Sequence, residues 1–374
     1  MTLEETGPSR RRGWRTWTFF ALTLAVAGFG VFVLRKAATA PPSPSPRFTI
    51  ETRSTRALGF TPDGTRFVSK GDRTIEQWDL ATRMPVARWL IKSYDAYSMV
   101  WAPDGSAVAV MAPDLGSNGS EFSVRDARTG APRFSWTIPF YEVSSLSFTA
   151  DSSAVRWVKK SVKDLTYTVE DRSAADGTVI RSKTFPGSRT PIFVTSGEGR
   201  FIVDLNSPRA GAMKVIDADD GHEVFALPDR PGTVVIATAL APAASALAVA
   251  RDDGTIETVE IPSGRLRSRH QSRRDLYRVQ GLGFSPDRTR LAVSSNYAPS
   301  RGRGFRFNFQ GGVQAHCYLL DTSTGQVAAQ LGHGSPFFSP DGRTVAVTES
   351  NGNPTRFYDL PQPPAPRRLA PAYP

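Results

Sequence analysis

The chain has 374 residues, 40% of them hydrophobic and 22% charged, with 29 Pro, 31 Gly and one Cys. That length exceeds one small core, the composition is that of a folded protein rather than a disordered one, and the abundant turn residues fit many short strands better than long helices. The single cysteine excludes an intramolecular disulfide and a cysteine-based zinc site, and a net charge of +11 is spread too thinly to define a nucleic-acid surface.

Residues 1–13 form a basic tail that contains Arg10, Arg11 and Arg12. Residues 14–34 have no acidic group, and Arg15 is their only charge. Twenty-one residues at about 1.5 Å each reach about 31 Å, enough for a hydrocarbon layer of about 30 Å. Lipid leaves helix as the only way for such a segment to satisfy its backbone, so the expectation is a single transmembrane helix. Four arginines precede it (Arg10, Arg11, Arg12 and Arg15), and Arg35 and Lys36 follow. This asymmetry predicts a cytoplasmic N-terminus and an extracytoplasmic, periplasmic remainder. The rival is a cleaved signal peptide, with Ala38-Thr39-Ala40 as the cleavage site. The length of the apolar run and Pro41 directly after the site favour an uncleaved signal anchor. Residues 35–46 include the run Pro41-Pro42-Ser43-Pro44-Ser45-Pro46, an extended spacer.

From residue 47 to residue 369 two phrases recur in fixed order. The first is Phe60-Thr61-Pro62-Asp63-Gly64, repeated at Trp101–Gly105, Phe284–Arg288 and Phe338–Gly342. The second is an acidic residue that closes each unit, at Asp79, Asp126, Asp171, Asp217, Glu260, Asp321 and Asp359. These closing positions lie 38 to 61 residues apart, which marks an array of seven similar units. In the first unit, Arg56–Phe60, Arg66–Ser69, Thr74–Trp78 and Met84–Trp89 read as four short strands separated by turn residues. Pro-Asp-Gly suits a tight turn because Pro presets φ, Asp bonds nearby backbone and Gly accepts positive φ. Phrases are strong in units one, two, six and seven; in three, four and five only the spacing speaks. Residues 370–374 are a tail.

Units of this length, with F-S-P-D-G after the first strand and W-D at the third, resemble WD40 repeats of the divergent bacterial kind. The resemblance implies an all-β, seven-bladed β-propeller with four-stranded blades, here preceded by the transmembrane helix. One departure is systematic: the Gly-His pair that opens typical repeats is missing, and Gly332-His333 lies too close to Phe338 for the usual register. The buried polar tetrad of the family is thus mostly absent, although Asp72 and Asp253 sit at its aspartate position. A propeller needs its ends joined. Arg47–Glu51 is the preferred source of the missing outer strand, with Arg367-Arg368-Leu369 as the alternative.

Chemistry is sparse. None of His222, His270, His316 and His333 has a second ligand at a recognised metal spacing, so each reads as a turn or surface residue. No G-x-S-x-G elbow occurs. Cys317 reads as a small buried hydrophobe. The basic run Arg265–His270 reads as a solvated loop face. Unit six carries a long insertion in which Arg301, Arg303, Phe305, Arg306, Phe307 and Phe309 alternate cation and aromatic. Arginine with aromatics on a rigid scaffold is the chemistry of interface hot spots, and these six are the candidate partner-binding residues. An extended hairpin packed on its own blade is the competing reading. The expectation is a non-catalytic, monomeric interaction scaffold that binds protein or envelope polymer, with no catalytic residues, metal, cofactor or specific nucleic acid. A propeller enzyme or ligand-binding protein with active groups in its channel is the alternative, and a cytoplasm-facing scaffold follows if the topology is inverted.

Overall fold

The computed structural model describes residues 42–52, 56–71, 73–91, 98–114, 119–139, 143–161, 164, 166–186, 193–195, 199–205, 213–228, 230–272, 277–297, 315–349 and 354–360. The chain divides into two units, Met1–Pro42 and Ser43–Pro374, and the architecture below is that of the second. The anchor, residues 14–34, lies outside the described residues. Among the described residues no helix is long and apolar enough to cross a membrane.

Among the described residues, twenty-eight strands form seven antiparallel sheets of four. Blade 1 runs from its innermost strand Arg56–Phe60 through Arg66–Lys70 and Thr74–Asp79 to the outer strand Pro85–Leu90. The innermost strands of blades 2 to 7 are Ser98–Trp101, Val143–Phe148, Phe193–Thr195, Val235–Leu240, Tyr277–Phe284 and Ser335–Phe338. The closing strand is Phe48–Ile50. It pairs antiparallel with Thr355–Asp359, Phe48 opposite Phe357, and so completes blade 7 from the N-terminal side, as the preferred sequence reading expects. Helix is scarce as expected: a single 3-10 turn, Pro242–Ala244, is present among the described residues.

The core is not one mass but seven buried clusters, one at each blade–blade interface. The seventh joins Phe357 and Ile50 of blade 7 to Phe60 and Phe67 of blade 1, which makes the ring continuous. Strand periodicity explains how one strand serves two interfaces. In Ala107–Asp114, Val108 and Val110 face blade 1, while Ala107, Ala109 and Met111 face blade 3. Second strands therefore read as nearly continuous apolar runs, because both their faces are buried.

The two repeated phrases are two aspartate-centred turns on one face of the ring. In the first, Thr61 Oγ1 donates to Asp63 Oδ1 at 2.5 Å and the Thr65 N–H donates to the same carboxylate at 3.0 Å. Ser285 with Asp287 and Ser339 with Asp341 repeat this arrangement. Unit three, whose sequence phrase is degraded, keeps it too: Thr149 Oγ1 bonds Asp151 at 2.6 Å. In the second turn the closing aspartate accepts backbone donors ahead of it. Asp79 takes the N–H groups of Ala81 and Thr82, and Asp321 those of Ser323 and Thr324. Both connect antiparallel neighbours (strands one to two and three to four), so both fall at the same end of every blade.

Candidate functional site

All six candidate binding residues, Arg301, Arg303, Phe305, Arg306, Phe307 and Phe309, lie outside the described residues. Their insertion joins Arg290–Tyr297 to Ala315–Asp321, the second and third strands of blade 6. The strand ends that it joins, Tyr297 and Ala315, lie at the face opposite the aspartate turns.

Four other surfaces were not legible in the sequence. The first is a groove of about 1320 Å³ at the rim between blades 7 and 1. Its origin is the length of the closing strand. Phe48–Ile50 has three residues, whereas the outer strands of the other blades have five to eight. The face of Pro85–Leu90 that looks toward blade 7 is left partly uncovered. Met84, Val86 and Leu90 are 61%, 49% and 77% exposed there, beside Trp78, Glu51 and Arg88. The opposite face of the same strand is closed by Trp89, which packs on Trp101 of blade 2.

The second surface is a polar hollow of about 350 Å³ between blades 1 and 2, on the aspartate-turn face. Arg66 donates to Gln77 at 2.8 Å, and Gln77 donates to the Ala127 carbonyl at 3.0 Å. Asp63 and Asp104, which line it, are held by their own turns. Burial pushes the Asp63 carboxyl up, but bonds from Thr61 and Thr65 outweigh it and leave it below the ordinary range. The Ser106 N–H does the same for Asp104. Carboxylates so committed stay ionised and are poor general acids.

Third is an ion network between blades 3 and 4. Arg156, almost fully buried, bonds Asp171 through two nitrogens at 2.7 and 2.9 Å and reaches Asp219 at 2.8 Å. Arg181 bonds the same two carboxylates. Every charge here has an opposite partner, which fits a structural tie between blades rather than reactive chemistry.

Fourth is the placement of the histidines, which corrects the sequence reading. His222 is an exposed turn residue against Asp220. The other three lie on strands. His270 sits on the outer strand of blade 5, half-buried, with Nδ1 3.0 Å from the Gly325 carbonyl and its ring 5.8 Å from that of Tyr318. His316 and His333 face each other across blade 6. Spacing rules missed the pair because it depends on strand register. Arg265–His270 is likewise not a loop: Leu266–Gln271 is an outer strand with Arg267 and Arg269 exposed along it. Cys317 is buried as expected, its thiol pushed up to about 12 by burial.

The channel side is plain. Across the seven innermost strands the sequence places only Arg56, Tyr277 and Arg278 as ionisable residues, and their side chains lie outside the described set. Among the described residues no group of three His, Cys, Asp or Glu side chains could hold a metal.

No family model matches this chain, and no curated protein matches it. Among solved structures it is similar to the β-propeller domain of Cps50 (Swd1) from Myceliophteria thermophila, with a TM-score of 0.60 and 14% identity over 84% of this chain and 99% of that one. At that identity the likeness concerns architecture: the chain folds as a WD40-like seven-bladed β-propeller of four-stranded blades.

Proposed function

We propose that this protein is a membrane-anchored propeller of the divergent bacterial type, working outside the cytoplasm as a non-catalytic scaffold for a protein partner. The observation that carries the reading is where exposed apolar surface falls. Among the described residues, three of the six exposed large hydrophobic side chains lie at one outer strand beside the rim groove: Val86 and Leu90 on it and Met84 directly before it. The innermost strands, by contrast, gather no cluster of described ionisable groups. Among the described residues the outer strand has one unpaired edge, so an extended partner segment can add to it by backbone pairing while covering Val86 and Leu90. The insertion that carries Arg301, Arg303, Phe305, Arg306, Phe307 and Phe309 is the second contact region of this reading.

A photo-crosslinking residue at Val86 is the test for the groove. In intact membranes it should give a discrete protein adduct that is lost with Leu90→Asp and is not formed from Leu266 on blade 5. Equal labelling at Leu266, or persistence in the Leu90→Asp background, removes the groove from the reading. Replacement of Phe305, Arg306, Phe307 and Phe309 by Ser should abolish partner capture with folding intact. The anchor rests on residues 14–34 and their flanking cations. A reporter active only in the cytoplasm, fused after Pro374, should stay silent; activity would invert the topology.

A further inference from the structure

Arg66, Arg156 and Arg290 hold one position in three blades, each opposite the closing aspartate of its own blade: Asp79, Asp171 and Asp321. Arg156 and Arg290 bond that aspartate at 2.7 and 2.5 Å. Arg66 does not. It donates instead to Gln77 Oε1 at 2.8 Å and makes no ion pair among the described residues.

One buried residue accounts for the difference. Gln77 stands where blades 3 and 6 have Val169 and Leu319, two places before the closing aspartate. It is 1% exposed, and its Nε2 donates to the Ala127 carbonyl of blade 2 at 3.0 Å. A buried amide needs both of its ends satisfied, so fixing Nε2 across the interface leaves Oε1 to hold Arg66. Arg66 thereby lines the hollow of about 350 Å³ between blades 1 and 2.

Other groups in the hollow complement this arginine. Arg128 lines it too, is exposed, and makes no ion pair among the described residues. Trp101 forms part of the wall, and its Nε1 is buried without a hydrogen-bond partner, a donor that a ligand oxygen can satisfy. Asp63 and Asp104 are wall residues as well. Asp63 accepts three bonds within its turn and Asp104 accepts the Ser106 N–H, whereas a carboxylate has about four acceptor sites. Each therefore keeps room for a further donor. Two guanidiniums and two carboxylates sum to zero, so the hollow matches a molecule that carries one charge of each sign better than it matches a plain anion or cation.

We propose that this hollow binds a small zwitterion, a free α-amino acid. Its carboxylate meets Arg66 and Arg128, and its ammonium meets Asp104 and Asp63. The planar guanidinium fork matches a carboxylate in geometry as well as charge. The Trp101 ring, Pro62 and Pro103 supply the apolar part of the wall for the ligand's side chain. Ligand pockets run from about 300 to 1,000 Å³, and this one lies at the small end, which suits a molecule of amino-acid size. The site is separate from the rim groove and does not depend on it.

The test is thermal unfolding of the full chain in detergent with each standard L-amino acid in turn. At least one should raise the melting temperature, and more so as its concentration rises. For that amino acid, calorimetry should show two analogues binding about tenfold or more weaker: its amide, which lacks the carboxylate, and its deaminated acid, which lacks the ammonium. Arg66→Gln and Arg128→Gln should each weaken binding by about tenfold or more. Asp104→Asn should narrow the gap between the amino acid and the deaminated acid, and Arg267→Gln on blade 5 should change nothing. Stabilisation by no amino acid overturns the proposal, as does equal binding of the amide or the deaminated acid, or an equal loss with Arg267→Gln. Should Arg66→Gln misfold by circular dichroism, Arg128→Gln, a change to an exposed side chain, decides.

Discussion

Phe48 stacks on Phe357 with ring centroids 4.6 Å apart and planes 14° from parallel, and this contact joins the start of the ring to its end. The Arg83 guanidinium of blade 1 lies 4.9 Å from the centroid of the same Phe48 ring, so one side chain ties the closing strand to two blades. Closure is thus held by three residue pairs and a small aromatic cluster. Phe48→Ala should lower unfolding free energy by about 2 kcal/mol, less than a fully buried Phe because the ring is only half covered. Thr49→Ala, exposed on the same strand, should stay within about 0.5 kcal/mol. Urea unfolding of the two variants checks this; equal effects would mean that the stack does not hold the closure.

Glycine substitutions separate backbone strain from collision. Gly105 and Gly130 both have φ of +72°, so Ala is disfavoured at either by about 1 kcal/mol from conformation alone. At Gly105 a Cβ meets nothing within 4 Å. At Gly130 it would lie 2.2 Å from Cγ of Trp89, whose ring closes the blade 1–blade 2 interface. Gly130→Ala should therefore lower the melting temperature by several degrees more than Gly105→Ala. Parity between them would show that Trp89 can move aside without loss.

These contrasts explain which parts of the molecule were legible in the sequence. The seven units could be counted because each turn is local: Asp63 bonds Thr61 and Thr65, and Asp79 bonds Ala81 and Thr82, so the residues that make the turn stand together in the chain. Even the degraded third unit kept the aspartate and its hydroxyl partner. The rim groove could not be seen, because it arises from a difference in length between two outer strands, Phe48–Ile50 and Pro85–Leu90, that are remote from each other in the chain. The His316–His333 pair depends on register and on one extra residue, Leu331, neither of which leaves a spacing signature. The candidate residues Arg301 to Phe309 fall outside the described residues.

The Arg156–Asp171 pair should behave as a buried salt bridge does. Side-chain exposures of 6% and 8% put both groups largely out of water. Asp171→Ala leaves Arg156 and Arg181 to share the single carboxylate of Asp219, with the Gly199 carbonyl as the other acceptor for Arg156, so about 3 kcal/mol should be lost. Replacing Arg156 by Met together with Asp171 by Leu removes both charges, and the double variant should be less destabilised than the two single changes summed. A double-mutant cycle by denaturant unfolding measures this; strict additivity would mean that the two groups do not couple.

Stability should fall on mild acidification, and the direction follows from the histidines. Burial holds His270 below its ordinary value of 6.5, with the Gly325 carbonyl opposing, and burial with His333 does the same for His316. Below pH 6.5 the unfolded chain takes up protons on these rings before the folded chain does, so acid favours unfolding. Their contribution is complete above pH 6.5 and is lost as pH falls from there toward the lower folded values. Each ring can change unfolding free energy by at most about 1.4 kcal/mol per pH unit. Tyr318, against His270, is pushed up by burial and stays neutral. The turn carboxylates act in a separate, lower step. The Thr149 hydroxyl holds Asp151 at about 2, and Asp321, which burial alone would raise, is held at about 2 by Ser323, Thr324 and Arg290. Their stabilisation is present above pH 3.8 and disappears as pH drops from there toward 2. Melting temperatures measured from pH 8 to pH 5 should therefore decline only below about 6.5, and His270→Gln should remove part of that slope. A flat profile across this range would mean that the rings are as exposed to protons in the folded chain as in the unfolded one.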